Sequence, residues 1–316
     1  MPYTYPARAW VPSLLLLCLA GLAAGAQDEE PVKKYLLKET APLVGDVTVI
    51  ERNEDETLEV YATPRGAEAQ IPEPTKSGRH LRERYTETVL ALDKEGQISQ
   101  LQRLYSAARM QLTAGSLDPP KNLVLGRQGK TVTLKRVNGK TLVTVANGKL
   151  SAAETKELAL ELDRAGGLNL FPDQEVSPDD EWDVEEARVI RAFGMEHGTL
   201  KVHFIEVKPF RGHPCARLSL DLQLEGKTAK GPISWNLEGT YYFAVDIQRT
   251  LYAKYSGPVS TMGVGKAEGH LADLAGEGIG EITVSRNLMK KGKLAPKPVE
   301  PMATPGADPP AAPVPR

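Results

Sequence analysis

Strict alternation of apolar and polar side chains is the clearest pattern in the chain. Ile233, Trp235, Leu237, Gly239, Tyr241, Phe243 and Val245 take the odd positions, and Ser234, Asn236, Glu238, Thr240, Tyr242 and Ala244 the even ones. A period of two sets one group on each face, so the pattern predicts a strand over 233–245 with one buried side. At about 3.3 Å per residue it would run roughly 43 Å, longer than most strands. Such a strand belongs to a large curved sheet, with Gly239 as a place to bend.

Two further segments agree. Ala216, Leu218, Leu220, Leu222 and Leu224 share a face, while Arg217, Ser219, Asp221, Gln223 and Glu225 share the other. Asn138-Gly139 is the favoured two-residue turn between Thr131–Val137 and Lys140–Ala146. That turn pairs Val137 with Lys140, and hence Leu134 with Val143 and Val132 with Val145 on one face and Thr133 with Thr144 on the other. Strands are also expected at Tyr85–Leu92, Ile98–Tyr105, Trp182–Arg191, Leu200–Val207 and Leu251–Tyr255, with Gly278–Leu288 closing the sheet. One helix interrupts them at Ser151–Ala165. Ser151 and Glu154 form a capping box, Leu158, Leu162 and Ala165 share a face, and Gly166-Gly167 ends it. The fold class expected is mainly β: a large antiparallel curved sheet, half-barrel or sandwich, with one covering helix.

The two ends break the pattern. Arg8, the run Leu14–Ala20 and the small residues Ala24-Gly25-Ala26 follow the plan of a secretory signal peptide over 1–26, cut after Ala26. Residues 27–288 read as a single β-rich domain, with a weak linker at 62–80 carrying Pro64, Gly66, Pro72 and Pro74. Residues 289–316 carry eight prolines from Pro296 to Pro315 and no apolar period, so they read as a stiff, disordered Pro/Ala-rich tail. The expected location is exported, periplasmic or extracellular, and not transmembrane once the signal is removed.

Composition narrows the function more than it defines it. The 316 residues are 41% hydrophobic and 25% charged, with 39 Lys and Arg against 41 Asp and Glu. A net charge of -2 gives no basic surface for nucleic acid. Removing the signal takes Cys18 and leaves Cys215 with no intrachain partner, so the fold must rest on its core. No Asn is followed at the second place by Ser or Thr, which favours a bacterial envelope over a glycosylating route.

Chemistry-bearing motifs are sparse. His80, His197, His203, His213 and His270 never fall in a metal-ligand spacing. His213 and Cys215 lack a third member for thiol catalysis, and Asp179-Asp180-Glu181 reads as a solvated turn. Gly276-Glu277-Gly278-Ile279-Gly280 lacks the Lys-Ser/Thr of a phosphate loop. No cofactor, metal or catalytic residue is expected.

The stretch Phe171-Pro172-Asp173-Gln174-Glu175-Val176-Ser177-Pro178-Asp179-Asp180-Glu181-Trp182 resembles a motif leading into a strand in a group of functionally uncharacterised secreted β-rich proteins of bacterial envelopes. Their Gly is replaced here by Asp179. The strand-helix-strand order is distantly similar to the half-barrel of periplasmic lipoprotein carriers. The resemblance implies a lipid-binding envelope protein and assigns no catalytic residue.

The expected function is therefore non-enzymatic: an envelope protein that binds an apolar ligand such as a lipid, or a protein partner. The rival is a structural or assembly role with no pocket, in which the C-terminal tail contacts an envelope protein or the cell wall. The candidate ligand site is a cleft between the helix and the long strand, formed by Leu158, Leu162, Trp235, Leu237, Tyr241 and Phe243.

Overall fold

In the computed structural model, the described residues are 33–65, 73–114, 119–164, 170–228, 231–267 and 270–292. The alternation resolves into β1 (Val47–Pro64), β2 (Thr75–Leu92), β3 (Ile98–Ala114), β4 (Lys121–Val124), β5 (Thr131–Val137) and β6 (Lys140–Val145). Helix α1 (Ala152–Arg164), β7 (Glu181–Val184) and helix α2 (Glu186–Phe193) follow. The chain continues with β8 (His197–Phe210), β9 (His213–Thr228), β10 (Gly231–Ala244), β11 (Arg249–Ala267) and β12 (His270–Lys290). The strands form one open antiparallel sheet in the order β6-β5-β3-β2-β1-β12-β11-β10-β9-β8-β7, with β4 paired to β3. The mainly β, antiparallel expectation holds.

The expected long strand is β10, and its odd-numbered side chains Leu237, Tyr241 and Phe243 are all buried. The apolar face of β9 is buried from Ala216 to Leu224. The β5–β6 hairpin has the register the turn dictates, Val137 opposite Lys140 and Val132 opposite Val145. Asn138 and Gly139 both have positive φ, 49° and 74°, as the type I′ turn requires. The capping box also forms, with the Glu154 N–H donating to Ser151 Oγ and the Ser151 N–H to Glu154 Oε2, both at 3.2 Å.

Four expectations are corrected. Among the described residues two helices, not one, accompany the sheet, because Trp182–Arg191 is strand only to Val184 and then turns into α2. Val189, Ile190 and Phe193 sit at helical spacing, and Gly194 caps the end at φ 69°. Gly198 lets α2 approach β8 closely, since a Cβ there would stand 2.7 Å from Val189 Cγ1. The supposed linker at 62–80 is strand at both described ends, β1 to Pro64 and β2 from Thr75, while 66–72 lie outside the described residues. The β-rich domain also extends two residues further than expected, as β12 runs to Lys290. Finally, β12 does not close the sheet at an edge. It joins the halves, pairing with β1 along the whole of Val47–Pro64 and with β11 on its other side. The proposed signal peptide 1–26, Gly166-Gly167 and Pro296–Arg316 lie outside the described residues.

The turn carrying the family-like motif is explained by its backbone. Asp179 stands at φ 74°, a conformation glycine takes freely and Asp tolerates better than most residues. Asp180 accepts the Ser177 N–H at 2.7 Å, Glu181 pairs with Lys201 at 2.7 Å, and Trp182 Nε1 donates to the Leu170 carbonyl at 2.9 Å. The acidic run is a structural turn.

Cys215 is fully buried at the start of β9, and its thiol lies 3.6 Å from the Phe210 carbonyl. Burial pushes this thiol up, away from the reactive thiolate. The protein should therefore run at the same mass on reducing and non-reducing gels; a quantitative disulfide dimer would show that this strand end opens.

Candidate functional site

Among the described residues the sheet carries two large packed groups, beside a small one of Cys215, Ala244 and Leu251. One joins Leu101, Val132 and Leu134 of β3 and β5 to Leu158 and Leu162 of α1. The other joins Leu218, Leu222, Leu237, Tyr241 and Phe243 of β9 and β10 to Val189 of α2 and to Phe171. The cleft expected between α1 and the long strand is thus not there, because α1 stands over β3 and β5. Its length matters here: about 20 Å at 1.5 Å per residue cannot cover both halves. Phe243 is covered instead by Phe171, ring centroids 4.6 Å apart. Trp235 lies against Gly280, where a Cβ would come 2.7 Å from the indole ring.

Between the two groups, on β1, β12 and β11, lies a mostly apolar cavity of about 270 Å³. Ile50, Tyr85, Ala253, Ile282 and Val284 form its floor, and Glu161 of α1 and Phe193 of α2 reach it from above. Side chains of β2 and β10 line the same space. These strands are four intervals apart, roughly 19 Å in a flat sheet, so the sheet bends toward this side. Of the six candidate residues, Tyr241 alone lines the cavity; Trp235, Leu237, Phe243, Leu158 and Leu162 pack to either side of it.

Its charged lining was missed. Glu161 lies between two guanidinium groups, 2.9 Å from Arg52 and 3.1 Å from Arg103, and Arg103 reaches Glu87 at 2.8 Å. One and two turns back along α1, Glu157 and Glu154 meet the buried Arg127. Burial works against charge on Glu161, but Arg103 and Arg52 outweigh it and hold the carboxyl at about 2. On the opposite side Asp46 holds Arg249 at 2.9 Å, while Thr250 links Tyr241 to Glu39 by hydroxyl contacts. The Tyr85, Tyr241 and Tyr255 hydroxyls are pushed up by burial and stay neutral donors.

The signal for these residues exists in the strand faces. Leu81, Glu83, Tyr85, Glu87 and Val89 alternate apolar and acidic on one inward face, and Ile282, Val284, Arg286 and Leu288 carry one cation among aliphatics. Chemically the arrangement can enclose a small apolar body within a neutralised polar frame. No group of three or more His, Cys, Asp or Glu that could hold a metal occurs among the described residues.

No family model and no curated protein matches the chain. Among solved structures, an outer membrane channel from Pseudomonas putida F1 is similar over 79% of this chain and 97% of that one, at 10% identity and a TM-score of 0.23. That likeness is too slight to carry an argument about this chain.

Proposed function

We propose that this is an exported, non-enzymatic protein of the cell envelope that holds an apolar ligand in the cavity between α1, α2 and the central strands. The observation that carries the reading is the cavity itself. Two packed cores flank a space floored by Ile50, Ala253, Ile282 and Val284. Apolar walls of this kind give a ligand's hydrocarbon about 25 cal/mol per Å² removed from water. The space corresponds to roughly nine waters at ~30 Å³ each, enough for a chain of about nine or ten carbons.

Native mass spectrometry of the protein purified from its own envelope is the test. A mass above that of the chain, lost on denaturation, is expected. Identical native and denatured masses, together with no uptake of a ten-carbon amphiphile, would overturn the proposal.

A further inference from the structure

Beside the apolar cavity lies a second hollow of about 280 Å³, and the two share Leu251, Arg286 and Leu288. It opens where two strands part. β11 and β12 pair only from Tyr252 and Ser285 inward, while beyond that point β12 continues to pair with β1. The lining of this second hollow includes Arg211, His213, Arg286 and Lys291 and no carboxylate. Its charge is one-sided, unlike the balanced frame of the cavity.

Arg286 stands at the junction. Its Nε is shielded from water and has no hydrogen-bond partner, and no ion pair to Arg286 occurs among the described residues. The carboxylates that face it are already engaged: Glu87 with Arg103 at 2.8 Å, and Glu39 with Thr250. Arg286 as a whole is half-buried, but an N–H sealed from water without an acceptor is costly, and the cost is removed by an anion placed against it. Arg211 is held nearby with its guanidinium over the Phe210 ring at 5.2 Å, using a 2.7 Å bond to Ser285 Oγ. A guanidinium has five N–H donors, so this tether leaves others for a ligand. His213 already has a partner, its Nδ1 lying 2.9 Å from Asp246 Oδ2. Further in, the buried Tyr255 hydroxyl also lacks a partner.

We propose that the ligand is a single-chain amphiphile with an anionic head, the head held by Arg286 and Arg211 where the strands part and the chain lying in the apolar cavity. This rests on the cavity-binding reading and names the chemical class it would take. The head is a carboxylate or a phosphate; both make the same charge-assisted contacts with a guanidinium.

The test compares decanoate, decyl phosphate and decanol by calorimetric titration of the full chain, for the wild type, Arg286→Gln and Arg211→Gln. Both anions are expected to bind at least about tenfold tighter than the alcohol, since charge-assisted hydrogen bonds exceed that difference. Arg286→Gln should abolish the preference, bringing both anions to the affinity of decanol for the same variant, and Arg211→Gln should reduce it. Because Arg286 makes no ion pair, its variant should keep the wild-type melting temperature, which separates lost binding from lost folding. Whichever anion binds tighter identifies the head. Equal binding of all three, or a preference untouched by Arg286→Gln, would overturn the anionic head while leaving the cavity reading intact. Failure of all three to bind would overturn both.

Discussion

Phe243→Ala is expected to destabilise the protein by about 3–5 kcal/mol and Leu158→Ala by about 2–5 kcal/mol, the range for large buried truncations. Phe243 is fully buried, and its ring meets Phe171 edge-on at 4.6 Å, so its loss leaves a void that only a ring could fill. Leu158 is 2% exposed and sits in the other group with Leu101, Val132 and Leu134. For a domain of this size each kcal/mol shifts the melting temperature by roughly 2–4 °C, so either variant should melt on the order of 10 °C lower. The double variant is the sharper measurement. Residues in separate groups with no shared partner should add to within about 0.5 kcal/mol. A coupling of 1 kcal/mol or more would mean that α1 and β10 touch, as the sequence pattern suggested, and that the cavity between them closes in solution.

That mistaken juxtaposition shows where sequence reading loses its grip. The buried faces of β9 and β10 and the β5–β6 register follow from local rules, a period of two and a turn needing positive φ at Asn138 and Gly139. Which strand a helix covers is not local. It depends on the chain order in the sheet, and β1 and β12, distant in sequence, meet at its centre. The cavity is harder still to find, because apolar residues do not mark it. Its distinctive members are Arg52, Glu87, Arg103, Glu161 and Arg286, charged residues on faces that also carry buried apolar side chains. Alternation scoring counts such a charge as a fault in the pattern. A charge on a buried face needs a partner or a ligand, and that need is what makes it informative. Short α2 escaped for a related reason, since Trp182 and Val184 start a strand period that Val189, Ile190 and Phe193 then break.

Glu161→Gln should cost about 3 kcal/mol near neutral pH, and the cost should shrink in acid. Removing this carboxylate leaves Arg52 and Arg103 facing each other beside α1, with Glu54 and Glu87 as the ion-pair partners that remain among the described residues. Breaking a buried pair from one side typically costs about 3–5 kcal/mol, and the surviving partners place this case at the lower end. The pH dependence follows from linkage. The folded carboxyl is held at about 2, below its ordinary 4.5. A depressed acid adds stability that is complete above its unfolded value and disappears as pH falls toward the folded one. The window is therefore from about 4.5 down to about 2, and 2.5 units at ~1.4 kcal/mol each bound the effect near 3 kcal/mol. Urea unfolding of wild type and Glu161→Gln near pH 7 and again near pH 3 reads the gap directly. It should narrow in acid, because the wild type loses what the variant never had. A gap that stays constant would show that Glu161 acts through shape alone. A gap that narrows, accompanied by loosened ligand retention in acid, would show that the same carboxylate fastens α1 over the cavity.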